Sequence, residues 1–112
     1  MANAFVNKKA DLTSTDITTL YTVPAQTTAV IKSILVSEDS NNADTITVTI
    51  TDTDDAVFNL FVLKAISARG TSELLSQPLI VKESEVIKVT AATANRLHVV
   101  LSALEIKPRE VT

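Results

Sequence analysis

Between Thr45 and Thr51 the chain reads TITVTIT, with threonine alternating against Ile46, Val48 and Ile50. In an extended backbone successive side chains point to opposite sides, so this period of two predicts a strand with its aliphatic face in a core and its threonines outward. Further strands are predicted at 5–9 (FVNKK), 18–23 (TTLYTV), 28–37 (TAVIKSILVS), 57–66 (VFNLFVLKAI), 72–76 (SELLS), 79–82 (LIVK), 85–91 (EVIKVTA) and 96–106 (RLHVVLSALEI). The intervals carry Asn, Asp, Ser and Pro, the residues that favour turn backbone: VPAQ at 23–26, SEDSNNAD at 37–44, TDTDD at 51–55 and ARGTS at 68–72. With Gly70 the only glycine, the chain has to turn on those residues. Eight or nine short strands with such turns between them predict an all-β fold, an antiparallel β-sandwich or jelly roll. Leu60, Leu63 and Ala65 could also sit on one side of a helix, but the β-branched and aromatic residues around them favour strand. No linker or repeat divides residues 1–112, which read as one domain with a short N-terminal arm at about 1–10 and a tail at about 107–112. Pro108 marks the end of the last strand, because it cannot donate to a ladder.

Three strands break the one-sided pattern. At 30–36, Val30, Ile34 and Val36 fall on one face and Ile31 and Leu35 on the other. At 58–66, Phe58, Leu60, Val62 and Ile66 oppose Phe61, Leu63 and Ala65; at 97–106, Leu97, Val99, Leu101 and Ala103 oppose Val100, Leu104 and Ile106. A two-layer sandwich covers only one face of each sheet with its own core, so a second apolar face needs a partner. Ile31, Leu35, Phe61, Leu63, Val100, Leu104 and Ile106 are therefore candidate interface residues. The competing account is that bulges shift the alternation, or that loops and the N-terminal arm cover these faces.

Composition narrows the chemistry. A net charge of -3 offers no cationic surface for phosphates, so nucleic acid and anionic membranes are not expected partners. Without cysteine there is no disulfide, thiolate metal site or thiol nucleophile. The N-terminal stretch has no apolar segment of signal-peptide length, and no run approaches the length of a membrane-spanning helix. Asp52, Asp54 and Asp55 could suggest a calcium loop. Counted from Asp52, however, the sixth position is Val57, where an EF-hand needs glycine, and the twelfth is Leu63, where it needs glutamate. A hairpin turn is the simpler reading, with an irregular ion site as its alternative. His98 is the only histidine, and on an extended strand Ser102 is about 13 Å away, too far for a nucleophile and base pair. Glu83 and Glu85 fall in a tight turn that leaves no cleft for paired-acid catalysis. Neither a cofactor nor a catalytic set is expected, and the chain does not read as an enzyme.

The phrases LYTVPAQTTAVIKSILVS (20–37), ELLSQPLIVKESEVIKVTA (73–91) and ANRLHVVLSALEI (94–106), in that order, cover about half the chain. They resemble small structural proteins of tailed bacteriophage virions, especially of marine and cyanobacterial phages. In that group Tyr-x-Val-Pro-Ala (here Tyr21–Ala25) leads into a long apolar strand. A Pro-Leu-x-Leu phrase (Pro78–Val81), an x-Ile-x-Val-Thr-Ala strand (Val86–Ala91) and a Leu-Glu-Ile strand (Leu104–Ile106) follow. Where those proteins commonly carry a Gly-Asp turn, this chain has Ser84-Glu85. The resemblance implies a virion component, most of all a capsid decoration (cement) protein assembled in the host cytoplasm. Its implied partners are copies of itself, with a trimer favoured, and the major capsid protein or another virion protein. A tail, neck, baseplate or fibre-associated component is the alternative within the virion, and a glycan- or receptor-binding β-sandwich module the alternative from another class.

Overall fold

The structure, a computed structural model, describes residues 2–107. Nine strands follow one another: β1 (Ala2–Asp11), β2 (Thr18–Thr22), β3 (Thr28–Glu38), β4 (Asp44–Thr51), β5 (Val57–Ile66), β6 (Thr71–Glu73), β7 (Leu79–Val81), β8 (Val86–Ala91) and β9 (Leu97–Lys107). All pairings are antiparallel, in one sheet ordered β1-β9-β3-β6, with β7 also on β3, and a second ordered β2-β8-β4-β5. The order has a simple origin. The chain doubles back at the β4–β5 turn, so that β4 pairs with β5, β3 with β6 and β7, β2 with β8, and β1 with β9. Rolling this long hairpin brings β9 against β3 and β8 against β4, which is the jelly-roll winding of a β-sandwich.

The core lies between the sheets. Ile46 and Val48 of β4, Ile87 and Val89 of β8, and Leu97, Val99 and Leu101 of β9 are fully buried. The threonines of β4 alternate with them, half-buried except Thr51. Where the sequence predicts two-sided strands, β9 keeps strict alternation, with Val100, Leu104 and Ile106 on its outer face. β3 does not. A register irregularity between Ile31 and Ser33 inserts Lys32, so Ile31, Ile34 and Val36 all face the core while Val30 and Leu35 face out. Ile31, a candidate interface residue, is 0% exposed and belongs to the core; the extra residue of the bulge reverses the parity on which its placement rested. The strand expected at 5–9 runs longer than the pattern predicts, through most of the stretch read as an arm: β1 is in unbroken register with β9 from Ala2 opposite Lys107 to Asp11 opposite His98. Val6 and Ala10 pack against the core, while most of the strand is held by its backbone ladder. Lys107 closes β9, and the expected tail beyond it lies outside the described residues.

The turns bear out the scarcity of glycine. Gln26, Asn41, Asp55, Arg69, Ser84 and Asn95 adopt left-handed backbone, one in each of six connections. Gly70 sits beside Arg69 for a different reason: a Cβ there would lie 3.0 Å from the Ser67 carbonyl oxygen, which accepts the Gly70 N–H. Ser84 takes φ 66°, a backbone that glycine adopts without strain, and the Glu85 carboxylate accepts the Lys82 N–H at 2.7 Å to close the turn. Ser84→Gly is expected to raise stability by about 0.5–1 kcal/mol in urea unfolding. Relief of roughly 1–2 kcal/mol of left-handed strain exceeds the ~0.4–1 kcal/mol of added unfolded-state entropy.

Two loops meet at Glu38, the buried last residue of β3. Its carboxylate accepts the Ser40 hydroxyl and the N–H groups of Ser40, Asn42 and Arg69. Burial pushes this carboxyl up, but the four hydrogen bonds outweigh it and hold the group at about 2, against an ordinary 4.5. A folded-state value below the unfolded one contributes stability above pH 4.5 that is lost as pH falls toward 2. Glu38→Gln should therefore be less stable than the parent at pH 7 and show a flatter stability profile between pH 4.5 and 2, measured by chemical denaturation at each pH.

Candidate functional site

The register of β1, β9, β3 and β7 dictates which side chains share the outer face of the larger sheet, because directly paired residues point the same way. Phe5, Leu104, Val30 and Ile80 form one row across four strands. Beyond it lies Asn3, Ile106 and Thr28; on its other side come Asn7, Ser102 and Ser33, then Lys9, Val100, Leu35 and Glu73. Phe5 is 83% exposed and Ile80 53%, while Val30, Leu104 and Ile106 are half-buried by their neighbours. A cavity of about 280 Å³ opens between these rows, lined by Phe5, Val6, Asn7, Lys32, Ser102 and Ala103. The result is an apolar zone at one end of the sheet with lysines on its border.

A second apolar surface lies on β5, the edge of the smaller sheet. Register irregularities around Val48 let Leu60 and Phe61 both pack on the core and push Val62 and Leu63 outward. Leu63 combines φ 50° with 64% exposure. Left-handed backbone costs a bulky side chain roughly 1–2 kcal/mol. The Leu63 N–H donates to Thr47 Oγ1 at 3.1 Å, which fixes this conformation. Val57 and Phe58 are exposed on the same strand near the β4–β5 turn. Long apolar edges invite pairing, and the bulge only partly blunts this one.

The candidate interface residues thus separate into three groups. Leu35, Val100, Leu104 and Ile106 share the outer face of the larger sheet; Phe61 and Leu63 lie on the β5 edge, the former half-buried; Ile31 is core. Phe5, Val30 and Ile80 join the first group through cross-strand register, which periodicity within single strands does not reveal.

Polar chemistry is local and structural in its geometry. His98 Nε2 lies 3.1 Å from Asp11 Oδ1 and its Nδ1 3.4 Å from Asp39 Oδ2, tying β9 to β1 and to the loop after β3. Asp52 Oδ1 accepts the N–H groups of Asp54 and Ala56, and the Asp52 carbonyl accepts that of Asp55. One carboxylate therefore caps the turn, which matches the hairpin reading. Among the described residues no group of three or more His, Cys, Asp or Glu side chains could hold a metal ion. Glu73 accepts the Ser33 hydroxyl and the Ile34 and Leu75 N–H groups; burial pushes its carboxyl up, and these donors hold it below its usual range. Inside the core, the Tyr21 hydroxyl of β2 donates to Glu105 Oε2 of β9 at 2.6 Å, a polar tie between the sheets. Burial, that hydrogen bond and the negative charge of Glu105 all push the phenol up.

No family model matches the chain, and no curated protein matches it. Among solved structures, it is similar to a chain of the acidic stable capsid structure of the Helicobacter pylori bacteriophage KHP30. The TM-score is 0.57 at 12% identity, over 99% of this chain and 92% of that one. At that identity the likeness concerns the fold, and it extends over essentially the whole of both chains.

Proposed function

We propose that the protein is a structural component of a phage virion, a capsid decoration protein that assembles as a homo-oligomer, with a trimer favoured, and stabilises the head. The observation that carries this reading is the end-to-end fold likeness to a chain of similar length in a phage capsid structure. The apolar outer face of the larger sheet supports it, since a zone spanning four strands is seldom left to water by a protein that works alone. The mechanism is mechanical, and the protein is not an enzyme. Burying apolar surface against the major capsid protein or another virion protein supplies about 25 cal/mol per Å², and many weak contacts around one shell act together.

The test is binding of the purified protein to heads assembled without it, followed by imaging. Occupancy of a repeated site on the head lattice, with a raised temperature of head disruption, is the expected result. No binding to heads, or only a dozen or fewer copies at the tail or neck of native particles, would overturn the decoration role.

A further inference from the structure

We propose that the apolar zone around Phe5, Val30, Ile80 and Leu104 receives the exposed β5 edge, Val57, Phe58, Val62 and Leu63, of a second copy of the chain. The inference deepens the homo-oligomer part of the reading above and does not depend on the capsid. The two surfaces lie on different sheets, one on a face and the other at an edge, so their union is head-to-tail; such a contact closes into a ring when the rotation between copies permits.

Charge selects the second copy as the occupant. The chain is acidic overall, yet Lys9 and Lys32 border the apolar zone, and neither is in an ion pair among the described residues. The acidic groups of that face lie away from the Phe5 row: Glu73 is at the far end of the row that begins with Lys9, and Asp11, against His98, is one row beyond. The β5 edge has the opposite border, for the residues just before Val57 and Phe58 are Asp52, Asp54 and Asp55. Asp54 and Asp55 are exposed, and Lys64 lies at the far end of the strand beyond Leu63. Opposite charges around two apolar patches favour joining one to the other and disfavour joining either to itself. Leu63 adds an independent observation. A strained leucine held in solvent by a hydrogen bond from its own N–H is a side chain set in place for a contact.

Head-to-tail pairing has a signature that a self-pairing surface lacks. A face variant, Phe5→Asp with Ile80→Asp, keeps a good edge; an edge variant, Phe58→Asp with Leu63→Asp, keeps a good face. Aspartate tolerates left-handed backbone, so the edge variant retains the bulge. With folding checked by far-UV circular dichroism, each variant alone should sediment as a monomer, its self-association weakened at least about a hundredfold (~2.7 kcal/mol). An equimolar mixture should form a 1:1 dimer that grows no further. Lys9→Glu with Lys32→Glu, and separately Asp54→Lys with Asp55→Lys, should each weaken association about tenfold, and all four together should restore it. Wild-type-like association of the edge variant, or a mixture that stays monomeric while the wild type associates, would overturn this contact and leave the homo-oligomer standing. A wild type that remains monomeric at all concentrations would overturn both, while head binding decides the capsid role separately.

Discussion

Ile31→Lys is expected to leave the chain unfolded in water at 25 °C, whereas Leu35→Lys should give a folded domain within about 1 kcal/mol of the parent. Periodicity alone places the two residues on the same side of one strand. The structure puts the β3 bulge between them, so Ile31 is wholly enclosed between the sheets and Leu35 is 40% exposed beside Glu73. At position 31 the ammonium would meet only core, with an effective penalty of several kcal/mol. Loss of a buried isoleucine adds about 2–5 kcal/mol, and the sum rivals the roughly 5–15 kcal/mol that holds a typical domain together. At position 35 the same side chain reaches water and finds an opposite charge across the strand pair. Far-UV circular dichroism and the dispersion of amide proton resonances separate the outcomes. A folded Ile31→Lys protein would mean that the bulge lies elsewhere and that β3 presents its other face to the core.

Tyr21→Phe removes one oxygen and should cost about 1.5–3 kcal/mol, because the donor lost serves a buried carboxylate. For a domain of this size that is a fall in unfolding midpoint on the order of 10 °C. Tyr21 and Glu105 lie on different sheets, so the bond sets the relative position of the layers as well as satisfying two polar groups. The double variant Tyr21→Phe with Glu105→Leu should recover most of the loss, since an apolar pair of similar volume removes the unpaired carboxylate. Thermal unfolding of the three proteins forms the cycle. Additive losses in the double variant would mean that the two side chains do not interact.

How far the sequence foretells this arrangement depends on which contact carries the information. All nine predicted strands occur, within a few residues of their expected ends, because alternation and turn residues act over short distances. The Asn, Asp and Ser turns are legible for the same reason, although which residue of each takes left-handed backbone is not. The β3 bulge is not legible either: nothing in VIKSILV marks Lys32 as the extra residue, and only pairing with β9 on one side and β7 on the other decides it. The full length of β1 is not legible beyond 5–9, because it has little core to signal it, Val6 and Ala10 amid exposed neighbours, and the rest exists through hydrogen bonds to β9. Glu105 left a usable trace. It continues the parity of Leu97, Val99, Leu101 and Ala103, which places a carboxylate in the core and calls for a buried donor such as Tyr21. The row from Phe5 to Ile80 left none, for its members come from four separate strands.

The position of β9 governs when this protein can fold. Of the nine strands described it is the last to leave the ribosome, yet it fills the middle of the larger sheet, between β1 and β3. Until it emerges, β1 has no neighbour to pair with and the inner side of β3 stays wet. The nascent chain therefore waits, its apolar strands exposed, and then closes its most distant pairing last, a slow and aggregation-prone order of events. Synthesis rate and chaperone supply, more than the equilibrium stability of the finished domain, should set the yield of usable subunits.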